Sequence, residues 1–322
     1  MFKVLDLLPD GQIEESLDLA RVTLPPDGTI RWVEVVEAGQ ADLELLGERF
    51  GFHPLEIEDC ATFELRSKID TYPDHLFVVL HTFTRDTDDP TDIQVHEVHA
   101  FVGDHYLVTV HDNPVPVAEQ LWQRAKVDPE ILGKGPGWAM YLTVDGMVDA
   151  VFPMLDRITF RLEEIEESLL SGESGESGEM LEIFQIKRSL VGMRRILRGV
   201  RDVVGMLSRR TKAPMTKKTA LYLRDVHDHA ARCAETVEEA LALAENAMDT
   251  YQTALSNRTN EIIRRLTLFS VIFLPLGFIT GFWGQNFANL PIGSETLFYV
   301  TLGVTVATPA VLLMWFWRRG WL

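Results

Sequence analysis

The chain has 322 residues and a formal net charge of −18, because 48 aspartates and glutamates outnumber 30 lysines and arginines. This acidic balance argues against nucleic acid as a partner and suits a protein that works among divalent cations. The two cysteines, Cys60 and Cys233, are too few for a disulfide framework and fit a reducing compartment.

The first 136 residues predict a cytoplasmic α/β domain with a mixed or antiparallel sheet. Met1 to Asp10 contains no extended apolar run, so we expect no signal peptide and a domain that stays where it is made. We recognise no glycine-rich phosphate motif and no nucleophile–base pair, and therefore do not expect an enzyme. The predicted strands are Thr29–Val36, His75–Thr84, Gln94–Val102 and Tyr106–His111, and the predicted helices are Ala41–Phe50, His53–Asp59 and a segment from Pro116 to about Lys126.

Residues 137–213 predict an antiparallel pair of helices. Apolar residues recur at helical spacing from Trp138 to Leu170, with an interruption at Pro153, and again from Met180 to Thr211 after a polar loop. The first arm is acidic and the second basic, which favours electrostatic pairing between the two helices, with cation storage as the alternative. The acidic residues are Glu163, Glu164, Glu166 and Glu167, and the basic residues are Lys187, Arg188, Arg194, Arg195, Arg198 and Arg201.

Residues 214–265 predict a cytoplasmic stalk helix that continues into the membrane. There is neither glycine nor proline between Met215 and Leu274, and these 60 residues would form a helix about 90 Å long at roughly 1.5 Å per residue. Such a helix cannot bury its own apolar positions, so it needs partners.

Two uncharged runs predict a pair of antiparallel transmembrane helices. The first runs from Leu266 to Ser294, with its apolar core ending at Trp283, and the second covers Thr296 to Trp317. Each is long enough to cross a hydrocarbon core of roughly 30 Å, and the alternative is a hydrophobic hairpin buried in a soluble protein. The predicted segments are a first transmembrane helix at 266–286, an external loop at 287–295 and a second transmembrane helix at 296–317.

Cations flank the two spans on one side only, which predicts their orientation. The connecting turn has no lysine or arginine, so the positive-inside rule places both termini in the cytoplasm and the turn outside. Two helices cannot enclose an aqueous pore, so we expect copies of the chain to assemble around an axis in the lipid bilayer. The cations are Arg258, Arg264 and Arg265 before the first span, and Arg318 and Arg319 in a basic tail at 318–322.

The stretch from Tyr222 to Asn286 resembles the stalk and pore helix of the CorA family of magnesium channels. The similarity lies in YLRDVHDH, SNRTNEIIRRLT, IFLPLGFITG and the final Gly-Gln-Asn, and it extends to HPLEIEDC and the terminal RRGWL. The resemblance implies a funnel-shaped homopentamer in a bacterial or archaeal plasma or inner membrane. Its fold would be an α+β cytoplasmic domain, followed by long stalk helices and a two-helix transmembrane hairpin with an inner pore helix.

The resemblance also implies roles for individual residues. Asp225 on the stalk would face Asp86 of a neighbouring subunit and hold a regulatory cytoplasmic Mg²⁺, because two carboxylates repel without a cation between them. Gln285 stands where the family usually has methionine, and Gly277 where it commonly has threonine. The implied selectivity filter is Gly284, Gln285 and Asn286, and the implied pore-lining residues are Asn260, Ile263, Leu266, Leu274 and Gly277.

Asn286 also suits a filter on physical grounds. Mg²⁺ dehydrates reluctantly, and a ring of amide oxygens accepts hydrogen bonds from its water shell without the strong binding of a carboxylate ring. A helix C-terminal cap beside Gly284 is the alternative role for Asn286. The apolar stripe of pore residues indicates either helix packing or a gate that sheds water.

The histidines give little indication of a metal site. His96 and His99 would point to opposite faces of a strand, and no cluster with metal-ligand spacing accompanies His227 and His229.

Three functions remain open. The first is a divalent-cation channel in which Mg²⁺ is both the transported and the regulatory ion, with cobalt and nickel as further ions. The second is a proton-coupled zinc transporter of the related ZntB type, which also departs from methionine in the signature. The third is a membrane-anchored cation sensor or scaffold with little flux. Co²⁺ and Zn²⁺ are thus further candidate substrates.

Overall fold

The computed structural model describes residues 1–63, 65–85, 91–171, 177–285 and 293–321. The chain divides into two compact units, Met1–Ser168 with Glu176–Met248, and Leu169–Gly175 with Asp249–Leu322. The strands are β1 (Phe2–Leu7), β2 (Ile13–Ser16), β3 (Ile30–Val36), β4 (Lys68–Thr71), β5 (His75–Thr84), β6 (Gln94–Gly103) and β7 (Tyr106–His111). The helices are α1 (Gln40–Phe50), α2 (Pro54–Thr62), α3 (Pro116–Ala125), α4 (Pro129–Gly133), α5 (Pro136–Asp149), α6 (Phe152–Ser171), α7 (Ser177–Leu207), α8 (Lys217–Gly284) and α9 (Glu295–Arg318).

The first unit contains a seven-stranded mixed sheet in the order β2-β1-β3-β7-β6-β5-β4. β3 and β7 are parallel, and the other described neighbours are antiparallel. The predicted strands and helices of this region are all present, so the α+β fold is confirmed.

Three strands, β1, β2 and β4, were not predicted from the sequence. β2 (IEES) and β4 (KIDT) are short, polar and lie at the two edges of the sheet, where charged side chains protect unpaired backbone groups. β1 is buried along most of its length, so it lacks the alternation of a strand with one solvated face.

Helices cover both faces of the sheet. Val33 and Val35 share a buried core with Leu46 of α1 and Ile57 of α2. Side chains alternate along a strand, so Trp32 points to the opposite face, where its ring lies 4.9 Å from that of Trp122 in α3. On that side α5 also packs against β5, β6 and β7. The sheet thereby fixes the position of α5.

The helical pattern from Trp138 to Leu170 forms two helices, α5 and α6. The chain turns at Val151, and Pro153 lies in the first turn of α6, where its missing N–H interrupts no helical hydrogen bond. The predicted interruption at Pro153 is therefore the start of a new helix.

The prediction that acidic residues of α6 pair with basic residues of α7 is wrong about which residues pair. The buried positions are apolar, among them Leu162 and Ile165 of α6 and Ile186 and Leu190 of α7, so the charged residues lie outside the apolar seam. Three of the α7 cations pair with α8 instead. The contacts are Lys187 Nζ to Glu245 at 3.1 Å, Arg194 to Glu238 at 3.2 Å and Arg198 to Glu238 at 2.9 Å.

Between α6 and α7 the ion pair has the opposite polarity. Arg161 of α6 donates two hydrogen bonds, of 2.6 and 2.9 Å, to Glu182 of α7. Exposed pairs of this kind each contribute roughly 0–1 kcal/mol, so the buried apolar seam holds the helices together.

The second unit contains the two candidate membrane spans. α8 runs for 68 residues without a break, as the absence of glycine and proline before Pro275 predicts. α9 has 24 residues and is capped at its N-terminus by Ser294, whose hydroxyl accepts from the Leu297 N–H. Both helices carry windows apolar enough to cross a membrane, and almost none of those residues are buried within the chain. The exposure opposes the alternative of a hairpin buried in a soluble core.

A buried carboxylate on β6 lies between two histidines. Glu97 Oε1 is 2.5 Å from His99 Nε2, and Glu97 Oε2 is 3.5 Å from His81 Nε2 and accepts from the Leu65 N–H. Burial by itself would raise the pKa of Glu97, but the hydrogen bonds from His81 and His99 outweigh burial and lower the pKa to about 2. His96 bonds Thr84 on the other face of the sheet, as the strand pattern predicts.

We expect Glu97 to make the fold acid-sensitive. Its pKa in the folded chain lies below the unfolded value, so its contribution is present above about pH 4.5 and is lost as the pH falls toward 2. With allowance for solvent screening, the contribution is about 2 kcal/mol. Thermal unfolding of the full chain in detergent should show wild type more stable than Glu97→Gln at pH 6 and nearly equal to it at pH 2.5. Glu48→Gln, an exposed control on α1, should change little, and a constant difference across pH would contradict the assignment.

Candidate functional site

The predicted pore residues lie on one side of α8. Ile263, Leu266, Leu274 and Gly277 are all exposed, and at 3.6 residues per turn their spacing of three, eight and three residues keeps them on one stripe. Leu274 is 75% exposed, although it lies in the middle of the apolar window. Asn260 is exposed one turn before this stripe.

The opposite side of α8 is the half-buried one. Its half-buried positions recur every three or four residues, and α9 has a matching stripe that ends at the buried Phe316. Two complementary stripes of this kind indicate that the helices pack side by side, leaving the pore stripe turned away from α9. The half-buried residues on these facing sides are Leu268, Ile272, Pro275, Leu276, Ile279 and Trp283 on α8, and Leu297, Thr301, Thr305, Thr308, Pro309 and Leu312 on α9.

The glycines of the span are not required by packing within the chain. A Cβ placed on Gly277, Gly281 or Gly284 would meet no heavy atom within 4 Å. By contrast, a Cβ on Gly137 of α5 would lie 2.4 Å from the Pro214 carbonyl oxygen. Gly277 therefore leaves open space on the stripe, and folding of the single chain does not demand it.

The predicted filter is only partly within the described residues. Gly284 is the last residue of α8, and Gln285 follows in a bend with its N–H 3.3 Å from the Phe282 carbonyl oxygen. Asn286 lies outside the described residues, and so does Asp86. The roles predicted for these two residues stay predictions.

A cluster of potential metal ligands lies between α5 and α8. Asp145 and Asp149 are one turn apart on α5, and Asp225 and His229 are one turn apart on α8. His229 Nδ1 is 3.1 Å from Asp149 Oδ1, and His229 Nε2 is 3.6 Å from Asp225 Oδ2. Ligand atoms of Asp145, Asp149 and His229 lie within 4.8 Å of one another. Among the described residues this is the one such group.

The electrostatics of the cluster favour a cation. Burial raises the pKa of Asp145, the negative charge of Asp149 raises it further, and His229 opposes both. A divalent ion would relieve the repulsion between the carboxylates, and oxygen ligands on exposed acids suit Mg²⁺, which keeps part of its water shell. The imidazole nitrogen also suits Co²⁺, Ni²⁺ or Zn²⁺.

Asp225 was predicted from the sequence, but its neighbours in the cluster were not. Asp145 with Asp149, and Asp225 with His229, each have the i, i+4 spacing that puts two side chains on one helical face. That spacing is visible in the sequence, but the contact between α5 and α8 is not. His229 thus belongs to a cluster that the spacing of the histidines alone did not indicate.

Comparison with known proteins shows similarity along nearly the whole chain. The model of the family described as CorA-like Mg²⁺ transporter protein matches residues 27–319. YfjQ of Bacillus subtilis is 32% identical over 322 residues, which are 100% of this chain and 98% of the relative. The cobalt/magnesium transport protein CorA of Thermotoga maritima is 29% identical over 297 residues, 91% of this chain and 84% of the relative.

A solved structure shares the fold. The complete structure of the CorA magnesium transporter from Methanocaldococcus jannaschii matches with a TM-score of 0.85 at 17% identity, over 99% of this chain and 98% of that chain. The likeness extends through both units of the chain.

We expect Mg²⁺ to stabilise the folded chain through the α5–α8 cluster. At a tenfold excess over its Kd, a bound ion contributes about 1.4 kcal/mol to the free energy of unfolding. Thermal unfolding of the full chain in detergent, with and without Mg²⁺, should show this gain in wild type and lose most of it in Asp149→Asn and His229→Gln. Asp228→Asn, an exposed neighbour that contacts His227, is the matched control and should keep the gain. Equal stabilisation of all four proteins by Mg²⁺ would show that the cluster does not bind the ion.

Proposed function

The chain belongs to the family of CorA-like Mg²⁺ transporter proteins, which move divalent metal cations across membranes, and from this premise we propose that it is a channel for hydrated Mg²⁺. The observation that carries the proposal is the exposed stripe of α8 opposite α9. It carries apolar side chains followed by open glycine positions, and the described residues of the same chain do not cover it. A stripe of this kind needs either lipid or further copies of the chain.

Several copies are needed to enclose water. Irregular or open backbone is not stable in hydrocarbon, so α8 and α9 remain helices, and two helices leave no space between them for a hydrated ion. Symmetric assembly with α8 inside and α9 outside covers the stripe and creates an axial path. The homopentamer implied by the family resemblance is the assembly we propose.

The orientation follows from the distribution of cations. Arg264 and Arg265 come before the membrane window of α8, and Arg318 and Arg319 end α9. The positive-inside rule then places both termini in the cytoplasm and residues 287–295 outside. The first unit, with its cation cluster, is on the cytoplasmic side in this arrangement.

The filter in this proposal is the ring of Asn286 at the outer mouth, supported by Gly284 and Gln285. Neutral amide oxygens accept hydrogen bonds from the waters of Mg²⁺ and so select the ion without removing its shell. If the helix continues, Gln285 is rotated by about 100° from Asn286 about the helix axis. Its side chain would then support the Asn286 ring from the side away from the pore.

Regulation uses the cytoplasmic cluster. A Mg²⁺ ion shared by Asp149 and Asp225 would tie α5, which the sheet holds, to α8, which contains the pore residues. When cytoplasmic Mg²⁺ falls, the carboxylates repel and the tie is lost, which shifts the population toward open arrangements of α8. Asp86 of a neighbouring subunit would add a further ligand.

The function is tested by ion uptake into liposomes that contain the purified protein. We expect Mg²⁺ uptake without a proton gradient, together with Co²⁺ uptake, and a fall of about tenfold or more in Asn286→Ala, because its ring no longer accepts hydrogen bonds from the hydrated ion. Asn289→Ala, three residues further along the chain, is the control. Zinc uptake that requires an inward proton gradient, with no Mg²⁺ flux under any gradient, would instead establish the zinc transporter. Cation binding with no flux of any ion would instead support the membrane-anchored cation sensor or scaffold.

We expect Asp225→Ala to weaken inhibition by internal Mg²⁺. Loss of one carboxylate lowers the affinity of the cluster, so the internal Mg²⁺ concentration that halves uptake should rise about tenfold. Uptake by Asp228→Ala should be inhibited by internal Mg²⁺ as in wild type, since the Asp228 side chain lies beside His227 and outside the cluster. Unchanged inhibition in both Asp225→Ala and Asp149→Ala would exclude this regulation.

A further inference from the structure

The stripe on α8 continues through two residues without an assigned role. Ser270 lies four residues after Leu266 and four before Leu274, and Gly281 lies four after Gly277. Both are exposed, and both fall on the same side of the helix as the predicted pore residues. The stripe therefore reads Leu266, Ser270, Leu274, Gly277, Gly281.

The flanks of α8 differ from this stripe. Phe269 and Phe273 project on one side of it, and Phe278 and Phe282 on the other, with the latter two rings 6.2 Å apart. Within the described part of the membrane window, the stripe itself carries no aromatic side chain. Helices approach closely where side chains are small, and large aromatic rings suit lipid or neighbouring helices. The side with Ser270 and the glycines is thus the one that suits an axis.

Ser270 breaks an otherwise apolar part of the stripe. Its hydroxyl donates a hydrogen bond of 2.9 Å to the Leu266 carbonyl oxygen, one turn earlier. Because this bond uses the hydroxyl proton, the two lone pairs of the oxygen remain as acceptors. A cation's water molecules present their hydrogens outward, so an acceptor is the group they need.

We propose that Ser270 lines the ion path and acts as a specificity-determining residue, whose hydroxyl oxygens accept hydrogen bonds from the water shell of a passing cation between the rings of Leu266 and Leu274. The inference rests on the proposed channel function and adds a polar ring inside its apolar gate. Narrow leucine rings shed water and oppose a hydrated ion. A ring of acceptors midway between the two leucine rings forms hydrogen bonds with the ion's water molecules. It thereby shortens the apolar part of the path that the hydrated ion must cross.

Uptake of Mg²⁺ by liposomes tests the role of the hydroxyl. Ser270→Ala should lower the rate about tenfold, as expected for a barrier raised by about 1.4 kcal/mol. Ser270→Thr, which keeps an acceptor, should retain most of the rate. Thr280→Val is the matched control, because Thr280 makes the same bond, 2.8 Å to the Leu276 carbonyl oxygen, on the flank of α8. Wild-type uptake in Ser270→Ala, or an equal loss in Thr280→Val, would overturn the proposal.

Cysteine accessibility tests the placement of Ser270 independently of flux. Ser270→Cys should react with a charged, membrane-impermeant methanethiosulfonate, since the thiol faces water. Val271→Cys, at the same depth but rotated by about 100°, should not react. Cys60 and Cys233 are buried, and wild type measures their background. Equal labelling of both variants, or none of Ser270→Cys, would overturn the placement. If Ser270→Cys is labelled, Val271→Cys is not, and the protein shows no Mg²⁺ flux, the placement of Ser270 would be supported and the proposed channel function would be excluded.

Discussion

Every backbone amide inside a hydrocarbon layer needs a partner within the protein, and this constraint determines the rest of the molecule. It keeps α8 and α9 helical over their apolar windows, and it leaves recognition of an ion to side chains on the surface of a helix. Pro275 is tolerated inside α8, although it cannot donate to the Val271 carbonyl oxygen. Side chains on one helix face form a path only when copies of the helix face one another, so the ion path belongs to the assembly.

The first unit supplies a second, local constraint. α5 is held by the sheet, and α8 is held by ion pairs from α7 and by the buried positions of its first turns. The packing places the carboxylates of Asp145 and Asp149 beside His229, and Asp225 contacts the same imidazole. The repulsion among these acids, which raises the pKa of Asp145, favours a ligand that neutralises it.

Much of the fold could be predicted from local patterns, because the patterns have physical periods. The apolar runs from Leu266 onward predict the spans, and the β-branched runs predict β3, β5, β6 and β7. Polar edge strands such as β4 carry no such period. The partners of Lys187 and Arg194 depend on which helix faces meet, which no single segment encodes, and the same holds for Asp149 with His229. Ser270 has the spacing of the stripe, but the spacing alone does not show which side of α8 turns away from α9. The half-buried face of α8 in the structure shows this.

Gly277 and Gly281 have open space around them in the single chain. A Cβ at either position would meet no heavy atom within 4 Å among the described residues, and glycine there forgoes the roughly 1 kcal/mol of helix stability that alanine offers. Selection for folding alone would be expected to remove such residues from a helix. In the proposed channel, a single substitution at either position would therefore change the width of the ion path without a clash against the described residues of the same chain.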